Sequence, residues 1–224
     1  MNNLIISIVY LLLTFFLTVL IYKKTGRVGL YIFMSVSVII SNIETIKLID
    51  FYGVTVSLGN ISYGSIFLIT DILSEKYGKD DCKKAIRFSF LMMIIFTISM
   101  KLFLSYTPSS VDNSNKAFLT IFNYMPRITI ASLLAYYVSS NCDAYLYSYL
   151  KNKYNKIFIS NNLSTFISQI MDTFIFCTIS FFNTMSVKSL VSLGLSMLVF
   201  KWLIALLDTP FMYLANSIKK VEEL

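Results

Sequence analysis

Six ionisable residues sit inside stretches of this chain that are otherwise apolar. Asp71 and Glu75 lie in ISYGSIFLITDILSEKYG, and Arg127 in AFLTIFNYMPRITIASLLAYYV. Asp172 lies in FISQIMDTFIFCTISFF, and Lys201 and Asp208 in LVSLGLSMLVFKWLIALLDTPFMYLA. Such charges are costly in a bilayer, so they face a protein interior or a wet cavity, and they mark paths for ligands or ions. Four carboxylates against two cations leave a net −2 if all six face inward. That balance suits a cationic or donor-rich ligand, or a bound proton. The plainer alternative is structural pairing of Arg127 and Lys201 with Asp172 and Asp71. Asp71 and Glu75, spaced i, i+4, share one helical face. Gln169 stands one turn before Asp172 on the same face and could share its ligand.

Other chemistries lack their residues. The chain contains no histidine, which removes imidazole metal ligands and His-based proton relays. Its three cysteines, Cys82, Cys142 and Cys177, form no C-x-x-C pair, so neither a disulfide frame nor a metal site is expected. There is no G-x-S-x-G and no Walker A pattern, so an enzyme or a motor is not expected. No cofactor is implied.

The elements that must position these charges are membrane helices. The chain has 224 residues, 56% of them hydrophobic and only 14% charged, with a mean hydropathy of +0.70. Its apolar runs are long and unbroken, which argues for helices over a strand barrel. Seven spans are expected, at roughly 4–22, 28–46, 61–77, 86–105, 117–138, 159–181 and 190–215. The third is short, ends in charge, and could be re-entrant or broken. The first lacks a positive n-region and an A-x-A-like site, and Lys23 and Lys24 follow it, so it reads as a retained anchor. Loops 1–2, 3–4 and 5–6 and the tail hold 13 Lys and Arg, against four on the opposite side. By the positive-inside rule the N-terminus lies outside and the C-terminus in the cytoplasm. The +7 net charge therefore reads as topology rather than nucleic-acid binding. This predicts an all-α polytopic membrane protein, one transmembrane domain over 1–224, multi-pass in a bacterial cytoplasmic (inner) membrane and bathed in lipid.

With that orientation, Arg127, Asp172 and Lys201 are expected at one mid-membrane depth on three helices, with Asp71 somewhat lower, where transporters hold substrate. Segment 140–156 is too polar to span and is expected as a helical extension at the cytoplasmic interface. Ala131, Ser132 and Ala135 form a small face for close helix approach. Asn42 and Glu44 end the second span, either lining an entrance or capping it. Pro126 and Pro210 could kink their helices and free carbonyls.

The run TDILSEKYGK (Thr70–Lys79) resembles the Thr-Asp…Glu…Tyr-Gly hallmark of the queuosine precursor transporter family, also called the vitamin uptake-like family. Further matches follow in order: Ser41-Asn42, Arg127 with Ala131-Ser132 and Ala135-Tyr136, Asp143, Gln169…Asp172-Thr173…Phe176, Lys201 and Pro210. The resemblance covers about 28–215, a six-helix transporter core, with residues 1–23 as one extra N-terminal helix. Two departures stand out: Tyr63-Gly64 where the family usually has Phe-Pro, and Cys82-Lys83 where it has Ala-Arg.

The resemblance implies import of 7-deazaguanine queuosine precursors for tRNA queuosine salvage: 7-cyano-7-deazaguanine, 7-aminomethyl-7-deazaguanine or queuine. It implies substrate contacts from Asp71, Glu75, Arg127, Gln169, Asp172, Lys201 and Asn42. Asp172 and Gln169 would hold the deazaguanine edge, and Asp71 a second polar edge or a coupling proton. Arg127 and Lys201 would orient these carboxylates or contact the carbonyl. An aminomethyl cation would favour a −2 site. Two other readings stay open. One is a substrate-binding subunit of an energy-coupling-factor transporter, driven by separate ATPase subunits. The other is a structural or assembly membrane protein. A homodimer is a further option.

Overall fold

The computed structural model describes residues 3–51, 53–154 and 157–221. Lys156, counted above among the basic loop residues, lies outside the described residues. Helix dominates. The helices α1 (Asn3–Glu44), α2 (Gly59–Tyr77), α3 (Lys79–Phe103), α4 (Asn115–Phe122), α5 (Met125–Tyr154), α6 (Ile157–Phe181), α7 (Val187–Leu207) and α8 (Thr209–Ser217) run in that order. Strands β1 (Leu48–Phe51) and β2 (Val54–Ser57) form one antiparallel hairpin between α1 and α2. Among the described residues, five helical stretches are long and apolar enough to cross a membrane. They are Asn3–Glu44, Lys79–Phe103, Asn115–Tyr154, Leu163–Phe181 and Val187–Ser217. The chain is an all-α polytopic membrane protein carrying one small β-hairpin.

The long α1 is not one rod. Gly26 breaks it with φ 60° and ψ −140°, a conformation that a Cβ forbids. The Tyr10 hydroxyl donates to Glu44 Oε1 at 2.9 Å. Tyr10 precedes the break by about as many residues as Glu44 follows it, so the two arms must double back side by side. These arms coincide with the first two expected spans. The elbow is tied down where the chain is most basic. Arg27 Nη1 donates to Asp81 Oδ2 at 2.9 Å, and the Tyr31 hydroxyl donates to Asp81 Oδ1 at 3.2 Å. The tail closes over it, with the Tyr77 hydroxyl donating to the Val221 carbonyl at 2.8 Å.

The structure refines three expectations. First, α2 is a continuous helix of 19 residues rather than a broken or re-entrant one. Its buried Leu68, Ile69, Ile72 and Leu73 are fully packed. Second, α5 runs unbroken over 30 residues, about 45 Å at helical rise, so segment 140–154 is a direct helical extension of that span. Third, Pro126 lies at the break between α4 and α5, within the one long apolar stretch Asn115–Tyr154. It is the second residue of α5, where its missing N–H has no intrahelical partner to lose. Pro210 opens α8 in the same way. There the helical path carries on from α7, so the missing N–H frees the Leu206 carbonyl.

Contacts gather into two units. The first comprises Met1–Pro126 and Val199–Leu224. Its core contains Phe15, Tyr22, Leu30 and Met93 together with the α2 residues above. The second comprises Arg127–Leu198. Its core holds Cys177, Phe181, Leu193 and Met197. The small residues Ala131 and Ala135 are buried there.

Candidate functional site

In the first unit, α2 and the α7–α8 junction line an open cavity of about 360 Å³. Asp71 contributes from α2; Asp208, Thr209, Met212, Tyr213 and Asn216 contribute from the junction and α8. Asp71 is there because α2 carries it one helical position off the buried Leu68–Ile72 stripe, and it is the exposed member of the pair. Asp208 is there because the Asp-Thr-Pro sequence starts α8 at this point. It is only 5% exposed. Among the described residues its carboxylate accepts no hydrogen bond and pairs with no cation. Two carboxylates thus face one cavity, and one of them is buried. The resemblance gave Asp208 no matched position, and by sequence it ranked as the most structural of the six charges. Its place in the sequence is an acid just before Thr-Pro at the end of an apolar run.

Glu75, Asn42 and Lys201 belong to the same unit but do not line this cavity. Glu75 lies one turn past Asp71 and is exposed. Asn42 is buried, and its Nδ2 donates to the Val38 carbonyl of its own helix at 2.7 Å. Glu44 accepts from Tyr10 and thereby holds the end of the α1 hairpin away from Gly26. Lys201 is 7% exposed on α7, two turns before Asp208.

The second unit holds Arg127, Gln169 and Asp172. Asp172 Oδ1 accepts from the Ser139 hydroxyl at 3.3 Å, which sets α5 against α6 at that level. A turn away, the Ser168 hydroxyl donates to Asp143 Oδ1 at 3.4 Å. Gln169 Oε1 is buried with no hydrogen-bond partner. A buried carbonyl oxygen without a donor is costly, and here it stands one turn from a carboxylate. Together they form an acceptor-rich face suited to a ligand with adjacent N–H groups.

Arg127 is not part of that face. Its guanidinium donates to the carbonyls of Ile179 and Phe182, at the C-terminal end of α6. Helix-end carbonyls lack intrahelical partners, and a cation satisfies them well. The residue lies in the first turn of α5, twelve residues before Ser139, hence about 18 Å from the level of Asp172 along the helix. The expected common depth of Arg127 and Asp172 is therefore wrong. The physical reason is the break at Asn123–Tyr124, after which Pro126 restarts the helix just before Arg127.

The sequence pattern of the family described as "Putative vitamin uptake transporter" matches residues 57–215. The chain belongs to this family. It is also 32% identical over 213 residues to a protein of Bacillus subtilis (strain 168) described as "Probable queuosine precursor transporter", covering 94% of this chain and 93% of that relative. No solved structure matches the chain. The resemblance read from Thr70–Lys79 and the motifs after it is thus confirmed, and the chain is a multi-pass membrane transporter of the vitamin uptake family. Membership also gives the Tyr63-Gly64 departure a structural account. A Cβ on Gly64 would come within 2.8 Å of Ile204 Cγ2 and of Leu11 Cδ1. The straight α2 of this transporter thus lets α7 and the first arm of α1 pack directly on its backbone.

Proposed function

We propose that this transporter imports 7-deazaguanine queuosine precursors across a bacterial cytoplasmic membrane. The observation that carries this reading is the buried, unpartnered Gln169 Oε1 one turn from Asp172. A guanine-like ring offers adjacent N–H donors on one edge, and an amide oxygen beside a carboxylate accepts both. The named relative supports the same substrate class. Uptake runs through seven spans with the N-terminus outside: two from the arms of α1, then α2, α3, α4–α5, α6 and α7–α8. The basic loops and the doubled-back α1 support that count. Lys201 and Glu75 are assigned to the conducting path as buried and exposed charges of the first unit. Asn42 serves there as packing for the second span.

The test is uptake of radiolabelled deazaguanines by cells that cannot synthesise them. Cells expressing the chain should accumulate label. Asp172→Asn should cut the rate by about tenfold or more, as loss of a half-buried charged acceptor implies. Wild-type uptake by Asp172→Asn, with the protein at normal abundance, would refute the assigned role.

A further inference from the structure

The cavity at the α7–α8 junction has no part in the acceptor face around Gln169 and Asp172, and its chemistry is different. We propose that Asp71 and Asp208 together bind the protonated amine of a small organic cation, and so make the transporter select a cationic deazaguanine over a neutral one. This inference rests on the precursor-import reading above.

Asp208 carries the argument. It is 5% exposed, it faces the cavity, and no donor or cation of the described residues reaches its carboxylate. An ionised carboxylate buried without a partner is strongly disfavoured, and a second carboxylate on the same cavity makes it worse. An arriving ammonium group relieves both costs at once, because three N–H donors can serve two carboxylates. The cation on the adjacent turn of α2 does not fill this role. Lys76 Nζ donates instead to the carbonyls of Asn216 and Ile218, each at 3.0 Å.

Size decides what kind of cation fits. The cavity measures about 360 Å³, within the roughly 300–1,000 Å³ range of small-molecule sites. A lone water or metal ion would need only about a tenth of that space. A metal is disfavoured on ligand count as well, since no cluster of three or more His, Cys, Asp or Glu occurs among the described residues. The remaining wall suits a heteroaromatic ring carrying the amine, so the cavity is a second, cation-selecting site that the ligand occupies separately from the acceptor face of Gln169 and Asp172. Thr209, Tyr213 and Asn216 offer hydrogen-bonding groups and Met212 a soft apolar surface. Asp71, the exposed carboxylate, meets the ammonium group first, and buried Asp208 holds it.

The experiment measures equilibrium binding by the purified full-length chain in nanodiscs. The ligands are 7-aminomethyl-7-deazaguanine, a cation at neutral pH, and the neutral 7-cyano analogue. Wild type should favour the aminomethyl form by about tenfold or more, as a charge-assisted hydrogen bond to a buried carboxylate implies. Asp208→Asn should collapse that ratio toward one. Asp71→Asn should lower it too, and it serves in place of Asp208→Asn if the latter does not fold. Equal binding of both ligands by wild type would overturn the inference while leaving the import reading intact, and so would an unchanged ratio in the variants. Binding of neither ligand would sink the import reading. The carboxylate pair would then stand or fall on benzylammonium against benzyl alcohol. Amine binding that Asp208→Asn abolishes sustains the pair, and equal or absent binding of the two overturns it.

Discussion

Replacing Gly26 by alanine should cost this protein about 2 kcal/mol, and the estimate follows from the elbow of α1. Gly26 sits at φ 60° and ψ −140°. That region is open almost only to glycine, and a residue with a Cβ held there pays about 1–3 kcal/mol. The added Cβ would also stand 3.1 Å from Tyr77 Oη and 3.3 Å from Val221 Cβ and Cγ1. Those contacts are tight, but they involve side chains that can give by a few tenths of an ångström. The backbone strain therefore dominates, and the folded-to-unfolded ratio falls by about thirtyfold. The chain contains one tryptophan, Trp202, on α7 in the same unit. Its fluorescence during denaturant titration in mild detergent reads the loss. Gly194→Ala is the control. Gly194 lies within helical α7, and a Cβ there meets only Cys177 Sγ, at an ordinary 3.8 Å. That change should be neutral or should stabilise by up to about 1 kcal/mol. Equal stability of Gly26→Ala and the parent would refute the doubled-back α1, and with it the pairing of the first two spans.

Two further substitutions separate packing from ligand contact. Arg127→Gln should destabilise the protein by about 2–4 kcal/mol, since it removes charge-assisted donors from the Ile179 and Phe182 carbonyls. Thermal unfolding by size-exclusion profile reads this, and an unchanged midpoint would contradict the helix-end role. Gly64→Leu should cost about 1–3 kcal/mol by overpacking against Ile204 and Leu11. The same profile checks it, and a stabilised variant would show that α7 does not pack on that backbone.

Much of the architecture was legible because membrane helices advertise themselves through long apolar runs, and the basic residues fall at their ends. The run KKTGRVG already marked the α1 elbow, since it combines charge with two glycines. The β-hairpin at Leu48–Ser57 was not legible, because its alternation is too short to stand out beside apolar helices. Pro126 marked the α4–α5 break, although proline at a helix start and proline inside a kinked span look the same in sequence. What the sequence left open was that Arg127 stands in the first turn after that break, bonded to the end of α6. Asp71, Gln169 and Asp172 were legible as polar residues in oily surroundings. Asp208 was legible as a charge but not as a site residue, because its importance comes from a cavity it shares with α2, whose Asp71 lies far away in the chain.

The central claim is that this chain alone carries a deazaguanine across a membrane. Purified protein reconstituted into liposomes, with no other subunit present, tests it most directly. Labelled 7-aminomethyl-7-deazaguanine should accumulate inside the vesicles in a saturable manner, and unlabelled deazaguanine should compete it out. Uptake no faster than into empty liposomes, appearing only once ATPase subunits are added, would contradict it.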